Sequence, residues 1–405
     1  MPASSKERLV VVGNGMAGIR TIELLLAHAR CRYEITVVGA EPHPDDASLD
    51  QIVTHSRSWY AQHCVRLIAG DPAVAIDRAA RTVVSAGGAV IRYDQLLLAT
   101  GSKPVTPPIS GRGLRGVCGF RRITDVQTMI AAARREKRAV VIGGGLLGLE
   151  AAWGLKRRGM DVTVVHLMPN LMERQLDPAA AALLQRDLEK RGIAFVVNAQ
   201  TEKILGSEHV RSVRLADGRE LPADLVVLAI GIRPNVDLAR DAGVDIERGI
   251  VVGDDLRTND PAIYAVGECA EHNGRLYGLV APLWEQASVC AARLAGDERA
   301  SFTPPPLFTS LKITGLDVFS AGELAAVDPA DEEVILYDPD GGVYRKLILR
   351  NDTVVGSVLY GAVADGPWYV QLMREQADVA RLRDRLAFGR VYTENAGIAM
   401  VRKAA

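Results

Sequence analysis

Gly13, Gly15 and Gly18 form the series Gly13-Asn14-Gly15-Met16-Ala17-Gly18, and 130 residues later Gly143, Gly145 and Gly148 repeat the spacing in Gly143-Gly144-Gly145-Leu146-Leu147-Gly148. Glycines so spaced, between an apolar strand and a helix, suit one kind of chemistry: holding the pyrophosphate of a dinucleotide. The first makes a tight turn, the second lets the backbone approach the phosphates, and the third allows close helix–strand packing. The helix N-terminus then presents its unbonded N–H groups to the phosphates. One such series is weak evidence. Two in one chain point to two dinucleotides held by one protein, and two bound dinucleotides point to electrons passing between them.

The elements that must position these turns are legible around them. Apolar runs at residues 9–12 and 139–142 precede the two series and predict strands, alanine- or leucine-rich stretches follow as helices, and residues 33–38 and 161–165 close each unit as a second strand. These are βαβ halves of doubly wound parallel sheets. Residues 96–102 and 225–231, the latter ending in Gly231, are a further matching pair, so the two modules read as a duplicated domain. A third strand–glycine–acid landmark, Ala262 to Gly267-Glu268, follows the second module and is expected to complete the first domain. The run Pro304-Pro305-Pro306 marks a boundary. Beyond it, alternating residues 344–349 and 354–359 predict antiparallel strands with turns at 338–342 and 351–352, followed by a helical stretch from about Trp368 to Leu386. The expected domains are 1–115 with 236–303, then 116–235, then 304–405 as a small α+β domain that covers a cofactor or forms a dimer contact.

The chain has 405 residues, 48% of them hydrophobic, and a formal net charge of −1. That size allows two or three domains with real cores. Neutrality argues against nucleic acid or an anionic membrane as main partner. No apolar run approaches the ~18–20 residues that span a bilayer, and residues 1–8 lead directly into the first strand, so a cytoplasmic protein is expected. Cys31, Cys64, Cys118, Cys269 and Cys290 are scattered, with no C-x-x-C pair. A structural zinc, an iron–sulfur cluster or a dithiol centre is therefore not expected, and the five thiols read as buried and unreactive.

A carboxylate at the end of the second strand can accept both ribose hydroxyls of an adenosine. Glu41 stands there in the first module, against the alternative of a solvated loop residue. In the second module the position after Val164-Val165 is His166. A carboxylate there would repel the 2′-phosphate of NADPH, so its absence leaves NADH and NADPH both open.

With these residues in view, the chain resembles the FAD-dependent pyridine nucleotide-disulfide oxidoreductase superfamily. Within it the chain is similar to the flavoprotein module of assimilatory NAD(P)H nitrite reductase large subunits and to NADH:rubredoxin reductases. The resemblance rests on Val11 to Gly18, Glu41-Pro42-His43-Pro44, Ala99-Thr100-Gly101-Ser102, Gly143 to Ala152, Leu171 to Asp177, Ala265 to Glu268, Leu279 to Gln286, and Leu311-Lys312-Ile313 with Asp317 to Gly322. It implies an α/β fold of two Rossmann-like dinucleotide domains of glutathione-reductase type plus a C-terminal α+β domain. It also implies FAD in the first site, along Gly13, Gly15, Met16, Ala17, Gly18 and Glu41, and NAD(P)H in the second, along Gly143, Gly145, Leu146, Leu147, Gly148, His166 and Gly231. By the same resemblance Gly267 and Glu268 contact the ribityl and pyrophosphate region, and Thr100, Gly101 and Lys103 lie along the cofactor. Trp284 either opens a helix whose N-terminus faces the flavin pyrimidine ring or is a plain core aromatic. Lys312 either approaches the flavin or is an ordinary solvated lysine, and Glu150 either positions the nicotinamide carboxamide or pairs with a neighbouring lysine.

The implied activity is an NAD(P)H-dependent flavoprotein oxidoreductase that passes electrons from NAD(P)H through FAD to a separate protein acceptor. That acceptor is expected to be a rubredoxin, a ferredoxin-like protein or a nitrate or nitrite reductase component. The protein is expected to be a monomer or homodimer, and to need no protein acid or base beyond the cofactors, with Glu150 and Lys312 as possible aligning groups. The competing class is a nucleotide-binding redox sensor with little turnover. Two departures from the family stand out. The segment after Pro44 runs straight into Asp45-Asp46-Ala47-Ser48-Leu49, where relatives carry a longer stretch with an arginine and a helix beside the flavin. The sequence to Ala405 holds no cysteine-rich cluster or sirohaem segment, so nitrite reduction by this chain alone is not expected.

Overall fold

The structure is a computed structural model and describes residues 6–42, 55–305, 308–311, 313, 315–394 and 401–402. The chain divides into two compact units, residues 1–103 with 232–305, and residues 104–231 with 306–405. The first begins with strand β1 (Glu7–Val12), helix α1 (Met16–Ala29), β2 (Tyr33–Gly39), a short helix α2 (Arg57–Gln62), β3 (Arg66–Ala69) and, after a hairpin-linked three-stranded sheet, β4 (Gln95–Leu98). Leu9, Val10, Val11 and Val12 are all buried, as an inner parallel strand covered on both faces requires. Helix α1 turns Ile19, Ile22 and Leu25 inward at helical spacing and leaves Arg20 and Glu23 partly exposed as an i,i+3 ion pair.

The second unit repeats the plan with β5 (Val117–Gly119), α3 (Ile123–Ala133), β6 (Arg138–Ile142), α4 (Leu146–Lys156), β7 (Asp161–Val165), α5 (Pro178–Lys190), β8 (Ile193–Val196) and β9 (Leu225–Leu228). Its parallel sheet runs β8-β7-β6-β9-β5. The duplication reaches single bonds. Arg8 grips Asp94 through Nε at 2.9 Å and a terminal nitrogen at 2.8 Å, and Arg138 grips Asp224 at 3.0 and 2.5 Å, both partners again 130 positions on. Each bidentate pair ties the first residues of the central strand to the residue just before its neighbour.

The chain then returns to the first unit with β10 (Ile263–Ala265), which completes the parallel sheet β10-β4-β1-β2-β3, and with α6 (Val280–Ala295), packed on α1 and ended by Gly296 in the left-handed region at φ 104°. Within the second unit, β11 (Phe308–Ser310), β12 (Val318–Gly322), β13 (Asp331–Asp338), β14 (Val343–Arg350) and β15 (Thr353–Tyr360) form an antiparallel sheet in the order β11-β12-β15-β14-β13, followed by α7 (Gly366–Glu375). This sheet docks on α5 through polar bonds inside an apolar contact. Tyr344 donates to Asp177 at 2.5 Å while Asp177 caps α5 by accepting from the Ala180 N–H, and Tyr360 donates to Asp187 at 2.6 Å.

The helix expected over Trp368 to Leu386 is not continuous. It stops at Glu375 because Gln376 takes the left-handed conformation at φ 47°, a residue pair of strand follows, and helical structure resumes as a 3-10 turn at Ala380–Leu382 that runs into a short α-helix at Arg383–Leu386. The expectation of five buried thiols also needs correction. Cys269 and Cys290 are buried and Cys118 half-buried, but Cys31 and Cys64 are exposed, one in the turn after α1 and one in the turn after α2.

Candidate functional site

The two glycine turns share one hydrogen-bond frame. The Gly13 N–H donates to Val38 O and the Gly143 N–H to Val165 O, both at 2.8 Å; Ile19 and Leu149 donate to Gly15 O and Gly145 O, both at 3.0 Å. Ala99 and Ala229 close the neighbouring strands onto Val12 O and Ile142 O, each at 2.8 Å. The glycines divide their labour the same way twice. Gly13 and Gly143 sit at φ 116° and 119°, and a Cβ on either would lie 2.0 or 2.2 Å from the carbonyl oxygen of Ala99 or Ala229. A Cβ on Gly18 or Gly148 would lie 2.8 or 1.9 Å from the carbonyl oxygen of Gly13 or Gly143. Gly15 and Gly145 are different: a Cβ there meets nothing within 4 Å. The outer glycines serve packing, and the middle one borders open space.

That space lies at the start of α1 and of α4, and no side-chain oxygen caps either helix. The first-turn N–H groups of Met16, Ala17 and Gly18, and of Leu146, Leu147 and Gly148, therefore have the polarity that suits a pyrophosphate. A second observation tests the fit at the first turn. Gly267, at φ 91° just after β10, packs against Ala17 and donates its N–H to Gln286 Oε1 at 2.8 Å. Gln286 is 0% exposed, and its Nε2 has no partner among the described residues. Because the Gly267 N–H demands the oxygen, the amide orientation is settled and a buried donor is left over beside the turn. A cradle with room for a phosphate and a spare buried donor fits a dinucleotide.

The other first-site residues fall around this turn. Glu41 is exposed just past β2, and Gly101 sits at φ 64° past β4. Thr100 donates to Asn235 O at 2.6 Å, Ser102 donates to Glu268 at 2.7 Å, and Lys103 pairs with Asp237. Asn14 accepts from Tyr60 of α2 at 2.7 Å, and burial raises the Tyr60 phenol so that it stays a donor. Helix α2 thus stands beside the first turn; the segment in which the departure is read, Asp45 to Leu49 with His43 and Pro44, lies outside the described residues, as does Lys312. Trp284 does not open its helix. The helix begins at Val280, with Pro282 in the first turn where its missing N–H costs nothing, and Trp284 stands in the second turn. It is 50% exposed, not a core aromatic, with the Arg20 guanidinium 5.5 Å from its ring centre.

In the second site Glu150 is half-buried on α4, and Gly231 holds φ 117° with open space at its Cβ position. His166 turns inward and is 7% exposed. Its Nδ1 accepts from the Gly144 N–H at 3.0 Å and its Nε2 faces Asn170 O and Glu173 Oε2, both at 3.1 Å. Gly144 has to be glycine, since a Cβ would sit 2.8 Å from the His166 ring and 2.8 Å from Leu171.

A family model described as pyridine nucleotide-disulphide oxidoreductase matches residues 7–292. The chain belongs to that family. A second model, the rubredoxin NAD+ reductase C-terminal domain, matches residues 308–377. The chain is 44% identical over 387 residues to "Nitrite reductase [NAD(P)H]" of Bacillus subtilis (strain 168), covering 93% of this chain and 48% of that protein. It is 42% identical over 387 residues to the "Assimilatory nitrate reductase electron transfer subunit" of the same organism, covering 93% and 50%. The chain thus spans about half the length of these curated relatives. Among solved structures it is similar to the reductase of a covalent putidaredoxin reductase–putidaredoxin complex, with a TM-score of 0.84, 25% identity, and 95% and 97% of the two chains covered. The family is one of oxidoreductases that work with FAD and NAD(P)H. All five cysteines are free, and no helix among the described residues is long and apolar enough to cross a membrane.

Gln286, Asn14 with Tyr60, Ser102 and Glu173 were not singled out by reasoning from sequence. A signal existed for Gln286: it falls on the same helical face as Leu283, Ala287, Cys290 and Leu294, where a polar residue needs a partner. Tyr60 and Ser102 find their partners 46 and 166 positions away and leave no local mark; Glu173 meets His166 only seven positions away, but the turn that brings it back depends on the left-handed Met172, which composition does not mark.

Proposed function

We propose that this chain is an NAD(P)H-dependent FAD oxidoreductase that hands electrons to a separate protein acceptor. A rubredoxin, a ferredoxin-like protein or a nitrate or nitrite reductase component is the acceptor, and the chain acts in the cytoplasm as a monomer or homodimer. The observation that carries this reading is the doubled turn, in which Gly15 and Gly145 alone leave open space at the N-terminus of an uncapped helix. The names of its relatives support an acceptor in trans: one is an electron transfer subunit, and one structural neighbour is a reductase bound to putidaredoxin. FAD, when bound, supplies the exchange between a two-electron hydride donor and a one-electron acceptor.

The chain's own part is binding and orientation. The first-turn N–H groups of α1 take the FAD pyrophosphate, Glu41 takes the adenosine ribose hydroxyls, and Gln286 Nε2 donates into the same cradle. Glu268, held by Ser102, keeps its carboxylate beside Gly267, and Thr100, Gly101 and Lys103 line the cofactor. The first turn of α4 takes the pyrophosphate of NAD(P)H, with Glu150 orienting the carboxamide. We assign 1–115 with 236–303 to FAD, 116–235 to NAD(P)H, and 304–405 to an interface domain. Anaerobic titration of the purified protein with NADH and NADPH, followed by flavin absorbance, tests the reading. Stoichiometric bleaching is expected; a protein that binds no flavin and cannot be reconstituted refutes it.

A further inference from the structure

We infer that Glu173, held by His166, is the ribose selector of the second site and makes it choose a dinucleotide with a free 2′-hydroxyl, NADH over NADPH. The inference rests on the reading of the second glycine turn as the nicotinamide dinucleotide site. In the first module the carboxylate Glu41 stands three residues beyond Val38; three residues beyond the corresponding Val165 stands Met168, and the residue directly after Val165 is His166, whose imidazole is spent inward. Its Nδ1 accepts from the Gly144 N–H at 3.0 Å, so its proton is on Nε2, which donates toward Asn170 O and Glu173 Oε2.

The segment that carries Glu173 is stitched to the same glycine from the other side. Met172 donates its N–H to Gly144 O at 3.0 Å, and Leu171 and Met172 are fully buried. Met172 holds φ 52°, a left-handed conformation that a non-glycine residue rarely takes and that turns the chain so that Glu173 comes back beside the imidazole. Both backbone groups of Gly144 are thus used to bring one carboxylate to the C-terminal end of β7, where a Rossmann module meets the adenosine ribose. Glu173 is itself exposed, and a fixed carboxylate there accepts a ribose hydroxyl and repels a 2′-phosphate. Arg174, the adjacent cation, is also exposed and has no ion-pair partner among the described residues, which makes it the rival: if it took the phosphate, NADPH would be preferred.

The test uses the FAD-loaded protein and two redox-inert probes, ADP-ribose and 2′-phospho-ADP-ribose, titrated calorimetrically. ADP-ribose is expected to bind at least about tenfold more tightly in the wild type, and Glu173→Gln to lower that ratio by about tenfold, mainly by tightening the phosphorylated probe. Arg174→Gln should change the ratio less than about twofold. Because His166 acts through Glu173, His166→Ala should lower the ratio in the wild type and leave it unchanged in the Glu173→Gln background. An unchanged ratio in Glu173→Gln, or a wild-type preference for the 2′-phosphate that Arg174→Gln abolishes, overturns the inference. Failure of ADP-ribose to bind at all would instead overturn the assignment of the second turn to a nicotinamide dinucleotide.

Discussion

Gly15→Ala separates the two jobs that glycine does in these turns. The residue sits at φ −95° and ψ −179°, which any amino acid adopts, and its added Cβ meets no atom within 4 Å. Losing a glycine N-cap costs up to about 1 kcal/mol, and the stiffer unfolded chain returns about 0.4–1 kcal/mol, so the stability of the flavin-free protein should change by less than about 1 kcal/mol. The methyl instead enters the space left for the pyrophosphate. Displacing one charge-assisted bond from the first turn of α1 costs about 1.5–3 kcal/mol, about tenfold to a hundredfold in the Kd for FAD. Gly13→Ala and Gly18→Ala should behave in the opposite way, because their Cβ atoms strike carbonyl oxygens at 2.0 and 2.8 Å and the fold itself must shift. The assay pairs the flavin-to-protein absorbance ratio after desalting, and FAD titration of the stripped protein, with thermal melts. Gly145→Ala is the reciprocal control: FAD content should hold while NAD(P)H affinity falls by a similar factor. An FAD Kd within about twofold of wild type in Gly15→Ala, or loss of FAD in Gly145→Ala, would refute the assignment of the two turns.

Three further outcomes are expected. Hydrogen bonds from Arg8 hold the Asp94 carboxyl at about 2, below the ordinary ~3.9, so its contribution to stability is complete above the ordinary value and lost as pH falls toward 2. Asp94→Asn should therefore be less stable than wild type at pH 7, and the gap should close in urea melts between about pH 4 and pH 2; a gap that persists at pH 2 contradicts the pairing. With a thiol reagent at neutral pH, Cys31 and Cys64 should label quickly, whereas burial raises the Cys118 thiol to about 12 and also raises Cys269 and Cys290; fast labelling of more than two thiols argues against this. Gln286→Leu strands the buried Gly267 N–H, which should cost about 1–3 kcal/mol in denaturant melts and weaken FAD retention; wild-type values for both would remove Gln286 from the site.

The parallel strands, both glycine turns and the duplication could be read directly from the chain, because each is a local signal: an unbroken apolar run, a turn whose glycines have steric reasons, a helix that follows. The antiparallel strands at 343–350 and 353–360 were legible for the same reason, through alternation and turn residues. The break at Gln376 was not, since a left-handed cap at a non-glycine residue leaves no compositional mark. Nor was the true start of the Trp284 helix, where apolar residues flank the end and hide it.

What the sequence alone determined, then, is the existence of two dinucleotide turns and the family they belong to, because spacing over six residues is a short-range property. What the tertiary structure decided is how each turn is held: Tyr60 on Asn14, Gln286 on Gly267, and His166 turned away from solvent onto Gly144 with Glu173 behind it. The first two of these join residues 46 and 19 positions apart, and the third depends on a left-handed Met172. Hydrogen bonds to a backbone N–H can be made by many side chains from many places in a chain, so only the folded packing says which one was used.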